Sequence, residues 1–165
     1  MFITVRNRSA GTVGYEIPEL NIKRTFALHE TKEELIDERE LRLLLQQRGG
    51  DILLRHYLVV EDEEWAEKNL DIDNMPEYFW GIEEVKNCLL NESLELLEDT
   101  LLNAPRGVIG IMKEIAWRLP LADLNKIALI KKITGFDIQA ATINMAQLDS
   151  PPAVAVTGRL RKREA

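Results

Sequence analysis

Residues 131–138, KKITGFDI, decide how the second half of the chain is read. Gly135 stands where a helix needs a left-handed residue to stop, since glycine adopts positive φ without a Cβ penalty. Phe136, just after it, can fold back on Ile130, the hydrophobic contact that accompanies such caps. Asp137 then offers a side-chain oxygen to the free N–H groups of a new helix. The stripe of that helix, Ile138, Ala141, Met145 and Leu148, follows the 3.6-residue period. One short stretch therefore predicts a helix, a sharp turn and a second helix.

Working backwards, LNKIALIKK (124–132) supplies the body of the first of these helices. Each residue turns ~100° from the last, so Lys126, Lys131 and Lys132 lie about 100–140° apart and form no basic stripe. Leu124, Ile127, Ala128, Leu129, Ile130 and Ile133 are spread all round as well. A helix apolar on every side belongs inside a bundle, with its long lysine stems reaching outward to water. Lys131 and Lys132 also fall in the last turn, where positive charge complements the helix dipole. The spacing predicts a packing element and not a nucleic-acid helix. Further helices are expected at about 82–90, 93–102 and 105–118, alongside 121–134 and 138–148.

The first 28 residues read differently. Ile3 and Val5 alternate with polar positions in FITVRN, as do Val13, Tyr15 and Ile17 in TVGYEI; RSAG between them supplies a turn. Ile22, Phe26 and Leu28 continue the alternation in NIKRTFAL, so a three-stranded meander is expected. TKEELI (31–36) adds a candidate fourth strand. Asp37 with Glu40 fits a capping box for a helix carrying Leu41, Leu44 and Leu45. Gly49 and Gly50 are expected to end that helix, and Asp51 to cap a short one through Ile52–Tyr57. LVVEDEE then runs extended into an acidic turn, a short helix follows around Trp65–Leu70, and DIDNMP links to the helical half.

The fold class expected is α+β: a small amino-terminal antiparallel β segment with one or two helices, followed by a bundle of about five short helices. The boundaries are 1–75 for the β-rich segment, 76–148 for the helical domain and 149–165 for a flexible basic tail. No internal repeat is found.

Composition narrows the function classes. The chain has 165 residues, 45% hydrophobic and 30% charged, the balance of a globular protein. No run approaches the ~18 apolar residues of a membrane helix, and MFITVRNRSAG has no signal-peptide core. With one cysteine, Cys88, the expectation is a reducing cytoplasm. The net charge of −7 is unevenly spread. Residues 1–29 carry four basic and two acidic residues, residues 30–100 seven and twenty-one, residues 101–165 ten and five. The middle repels a phosphate backbone, so any nucleic-acid contact falls to the carboxyl-terminal third. That polarity also suits head-to-tail contact between copies.

Candidate chemistries fail one by one. DIDNMPE (71–77) begins like a calcium loop, but the pattern then needs a ligand at Met75, glycine at Pro76 and glutamate at Ile82. GTVG (11–14) has the letters of a nucleic-acid GXXG loop, which joins two helices, whereas these residues are expected at a hairpin. No phosphate-binding glycine motif occurs. His29 and His56 have no second ligand at metal spacing. Cys88 reads as a small buried residue, and a Cys88–His56 nucleophile pair could assemble only through the tertiary fold. No carboxylate pair stands out among the many in 30–100. No enzyme activity, cofactor or metal is expected.

Two segments remain as partner-binding candidates. Tyr78, Phe79 and Trp80 in PEYFW can anchor a partner, since aromatics dominate interface energetics. They can equally staple the helical part onto the amino-terminal part, the reading we favour. The acidic run Glu61–Glu64 with Glu67 reads as a solvated face. Arg159, Arg161, Lys162 and Arg163 in RLRKR can engage an anionic surface, whether nucleic acid or the acidic middle of another copy, or simply solubilise the end.

Finally, VRNRSAGTVGYEIPELNIKRTF, ERELRLLLQQRGGDILLRHYLVV, EYFWGIEEVKNCLLNESLELLEDTLLNAPRGVIGIMKEIA and KITGFD, in that order, resemble small structural and assembly proteins of tailed bacteriophages. The resemblance spans about residues 1–148 and rests on structural motifs, so it transfers no functional residue. It implies a non-catalytic structural or assembly protein of a phage particle, acting through protein–protein contacts in the host cytoplasm and in the virion. Its partners would be other virion or assembly proteins, copies of itself included, without a membrane. The alternative is a small regulatory protein that binds a host factor or nucleic acid through the basic tail.

Overall fold

The computed structural model describes residues 1–27, 34–119 and 121–148. The architecture is α+β. Strands β1 (Phe2–Asn7), β2 (Val13–Ile17), β3 (Ile22–Phe26) and β4 (Glu34–Asp37) precede helix α1 (Glu38–Gln46). A short helix α2 (Gly50–Ile52) runs into a π-helical turn (Leu53–Tyr57), then β5 (Leu58–Val60) and α3 (Glu63–Asn69). Five helices complete the described chain: α4 (Ile82–Asn91), α5 (Leu94–Asn103), α6 (Arg106–Arg118), α7 (Leu124–Thr134) and α8 (Ile138–Leu148).

The strands do not form a meander. β1 lies between β4 and β5 and pairs antiparallel with both, Ile3 opposite Ile36 and Val5 opposite Val60. β2 and β3 form a separate hairpin, Val13 opposite Phe26 and Ile17 opposite Ile22, closed by the turn at Pro18–Leu20. Both edges of β1 are thus occupied, and the segment after it turns away. Asn7 enforces that departure. Its amide donates to the carbonyls of Gly11, Phe26 and Ala27, and its Oδ1 accepts the Ser9 N–H at 2.8 Å. RSAG is accordingly no hairpin turn, and GTVG leads into a strand. Residues 31–33 of the expected fourth strand, and His29, lie outside the described residues.

Asp37 caps α1 by accepting the Arg39 N–H, but Glu40 does not close the expected capping box. Its carboxylate turns inward, accepting from Tyr15 Oη at 2.6 Å and from Arg24 Nη2 at 2.9 Å. Burial pushes the Glu40 carboxyl up, but the bonds from Arg24 and Tyr15 outweigh it and hold it below the usual carboxylate range. Asp51 is not a cap either. Gly49 precedes α2 with φ 83°, and Asp51 sits inside the turn, paired with Arg55 at 2.9 Å.

Two hydrophobic clusters organise the chain. One gathers Ile3, Val5, Ile17, Phe26, Ile36, Leu41, Leu44, Leu54 and Tyr78. The other gathers Val85, Leu89, Leu97, Leu101, Val108, Met112, Ile130 and Ile138 from α4–α8. The stop and start read from KKITGFDI hold: Gly135 has φ 76° and donates to the Lys131 carbonyl, Phe136 joins the second cluster, and Asp137 accepts the Ala140 N–H.

Helix α7 departs from its expectation in an informative way. Leu124 is 68% exposed whereas Lys126 is only 6% exposed, so apolar residues do not face protein all round and this lysine does not reach outward. Lys126 Nζ donates to the Leu89 carbonyl at 2.8 Å. Leu89 lies in the last turn of α4, where carbonyls lack helical partners and the dipole is negative. A cation from a neighbouring helix closes that end.

Candidate interaction surfaces

PEYFW joins the two clusters. Tyr78 is wholly buried; its hydroxyl donates to the Leu54 carbonyl at 2.9 Å and accepts the Val60 N–H at 3.1 Å. Phe79 stands edge-on to it, ring centroids 4.9 Å apart, within the first cluster, while Trp80 packs on the second. Tyr78 is interior, while Phe79 and Trp80 are half-buried, one against each cluster. Tyr78 has no surface left with which to anchor a partner. Burial pushes its phenol up. The neighbouring Glu77 is also buried, with Oε2 lacking any partner, and burial raises its carboxyl.

The same seam contains an unusual concentration of cations. Arg8, at the end of β1, is 2% exposed and lies 4.7 Å over the Tyr78 ring. Its Nη1 donates to the Tyr78 carbonyl and its Nη2 to the Arg55 carbonyl, while Nε has no acceptor. Desolvation lowers its pKa to about 10, so it stays charged at neutral pH. His56, from the π-helical turn, accepts the Arg106 N–H on Nδ1 at 3.1 Å and so caps the first residue of α6. Burial, then Arg106, Arg55 and Arg8, push its imidazole down, favouring the neutral form that can accept. Gly107 permits this approach: a Cβ there would lie 2.4 Å from the His56 carbonyl oxygen.

Two clefts open on the helical half. The larger, about 680 Å³, lies between the end of α6 and the starts of α7 and α8. Trp117, Leu119, Leu121, Leu124, Ile127 and Ile143 make its walls apolar. At its rim Arg118 stacks on Trp117 at 4.9 Å and pairs with Glu114 at 3.2 Å. Leu124 and Ile143 are 68% and 57% exposed, so this is apolar surface facing water. The stripe expected on α8 is only partly covered: Ile138 is buried, Ala141 half-buried and Met145 exposed. The smaller cleft, about 340 Å³, is lined by Trp80, Glu83, Glu84, Asn87, Cys88, Glu92 and Leu96. Its carboxylates are partly spent, Glu84 on the Gly81 N–H and Glu92 on Asn87.

The Cys88–His56 pair does not assemble. Cys88 Sγ faces Thr100 Oγ1 at 3.9 Å and burial pushes the thiol up, while His56 is engaged on α6. Among the described residues no group of three or more His, Cys, Asp or Glu could hold a metal, and no helix is long and apolar enough to cross a membrane. Arg159, Arg161, Lys162 and Arg163 lie outside the described residues. Sequence reading missed Arg8 and the apolar groove. Nothing local marks Arg8, whose partners are 47 and 70 residues away. Leu124 looked like core because periodicity reports a face and not what covers it, and Ile143 lay off the stripe expected on α8. No family model, curated protein or solved structure matches the chain.

Proposed function

We propose that the chain is a non-catalytic structural or assembly protein of a tailed-phage particle, working through protein–protein contacts. The observation that carries the contact-based part of this reading is the open groove of α6, α7 and α8. Its Trp, Leu and Ile walls are suited to an apolar segment of another protein, and such a segment would remove Leu124 and Ile143 from water. The phage assignment rests on the sequence resemblance over residues 1–148.

The test is quantitative mass spectrometry of purified particles from the phage that encodes the chain. Multiple copies per particle are expected, with incorporation falling for Leu124→Glu and Ile143→Glu, whose exposed positions leave the fold intact. Absence from the particle together with abundance in infected cells would refute the virion role. It would favour a regulator acting through residues 159–163.

A further inference from the structure

We infer that residues 151–156 of this same chain, PPAVAV, occupy the groove between α6, α7 and α8 and keep it from other proteins until a stronger apolar segment displaces them. The inference starts from bare surface. Leu124 and Ile143 stand 68% and 57% exposed on the groove walls, and no described segment covers them. A contiguous apolar surface of this kind marks a place where something binds. Position makes the chain's own continuation the nearest cover. Helix α8, which builds one wall, leads directly into DSPPAVAVTGRLRKREA (149–165). Ile143 lies five residues before Leu148, about 7–8 Å along the helix axis. Pro151 comes three residues after Leu148, a span of up to about 10 Å, so a segment starting there can return to Ile143. Six further residues add up to about 20 Å when extended, enough to cross a cleft of about 680 Å³. A tether this short also gives an effective concentration in the millimolar range, so even a weak fit fills the groove before a dilute partner does.

The chemistry of the segment matches the walls. Residues 150–158 carry no charge, whereas Arg159 begins a basic cluster, so the uncharged stretch is the part suited to Trp, Leu and Ile. Pro151 and Pro152 bring no N–H into that apolar setting, and proline-rich segments favour aromatic-lined grooves, here with Trp117 as the aromatic wall. Val154 and Val156 share one side of an extended segment. Gln139, on the α8 wall, offers an amide to the backbone between them. Regulation through this cover rests on the reading of the groove as a contact site; the occupancy itself does not.

The experiment follows maleimide alkylation of one probe thiol, Ile143→Cys, in the full chain. Two backgrounds are compared, the native 151–156 and the pair Val154→Asp with Val156→Asp. Cys88, 1% exposed, stays silent. Modification is expected to be slower by about fivefold or more with the native segment, and the slowing to be independent of protein concentration. The same comparison at Leu102→Cys, 62% exposed and outside the groove, should show no difference. Equal rates at residue 143 in the two backgrounds overturn the inference, and so does slowing that appears equally at residue 102. Protection that fades on dilution overturns the assignment to the same chain and gives the groove to a second copy. The contact-site reading fails separately, with protection intact while Leu124→Glu leaves particle incorporation unchanged.

Discussion

Replacing Gly107 by alanine pits two effects of similar size against each other. Helix propensity favours alanine over glycine by up to about 1 kcal/mol. Packing opposes it: the new Cβ would stand 2.4 Å from the His56 carbonyl oxygen, a backbone atom that cannot swing aside. Restoring ordinary contact requires α6 to withdraw by roughly 1 Å. Overpacking of this kind costs about 1–3 kcal/mol, and withdrawal also weakens the His56 cap, itself of order 1 kcal/mol. The expected net result is a loss of about 1–3 kcal/mol. Gly110, on the same helix, is the control, because a Cβ there meets only the Ala10 Cβ at 3.6 Å. Gly110→Ala should therefore gain roughly 0.5–1 kcal/mol from propensity. Urea unfolding followed by tryptophan fluorescence gives both midpoints. If Gly107→Ala is as stable as the parent, or gains alongside Gly110→Ala, the close approach of α6 to the π-helical turn is wrong.

Two further outcomes follow from buried charges. Glu40 has a carboxyl depressed in the folded state, so its contribution is present above the ordinary carboxylate range and is lost as pH falls through the folded value. Glu40→Gln should cost about 2–3 kcal/mol at neutral pH and give a shallower decline on acidification, measured as unfolding midpoints across pH; parallel declines would contradict this. Lys126→Met removes the donor at the Leu89 carbonyl and should cost about 1–2 kcal/mol. Amide hydrogen exchange should quicken chiefly in the last turn of α4, and unchanged exchange there would dismiss the cross-helix cap.

The legible parts of the fold were those governed by neighbours in sequence. Gly135 and Asp137 specify a stop and a start within three residues, and the structure follows both. Strand pairing was opaque because alternation identifies a strand without naming its partner. Nothing near β1 announces that its edges belong to residues 34–37 and 58–60. Glu40 had the spacing of a cap yet met Arg24 and Tyr15, a charged partner and a donor brought in by the β2–β3 hairpin. Lys126 shows the same limit from the other side: a helical wheel places it on a face, but only packing brings that face to the end of α4. For the candidate site, PEYFW was readable as a joint, whereas the cationic seam assembles from residues 8, 55, 56 and 106 and has no sequence signature.

The placement of β1 also bears on how the chain is made. The first of the described strands in chain order is the central one of its sheet, and its two flanks arrive only with residues 34–37 and 58–60. At typical elongation rates the ribosome takes roughly 3–12 s to deliver the second flank. Until residues 34–37 arrive β1 has two bare hydrogen-bonding edges, and until residues 58–60 arrive it keeps one, beside the apolar side chains of Ile3 and Val5, a combination that pairs readily with another chain. The α4–α8 segment faces no such delay, since each helix closes on its own residues. Mispairing during synthesis therefore threatens most between the appearance of β1 and that of β5, and a partner or chaperone acting during translation would find its work there.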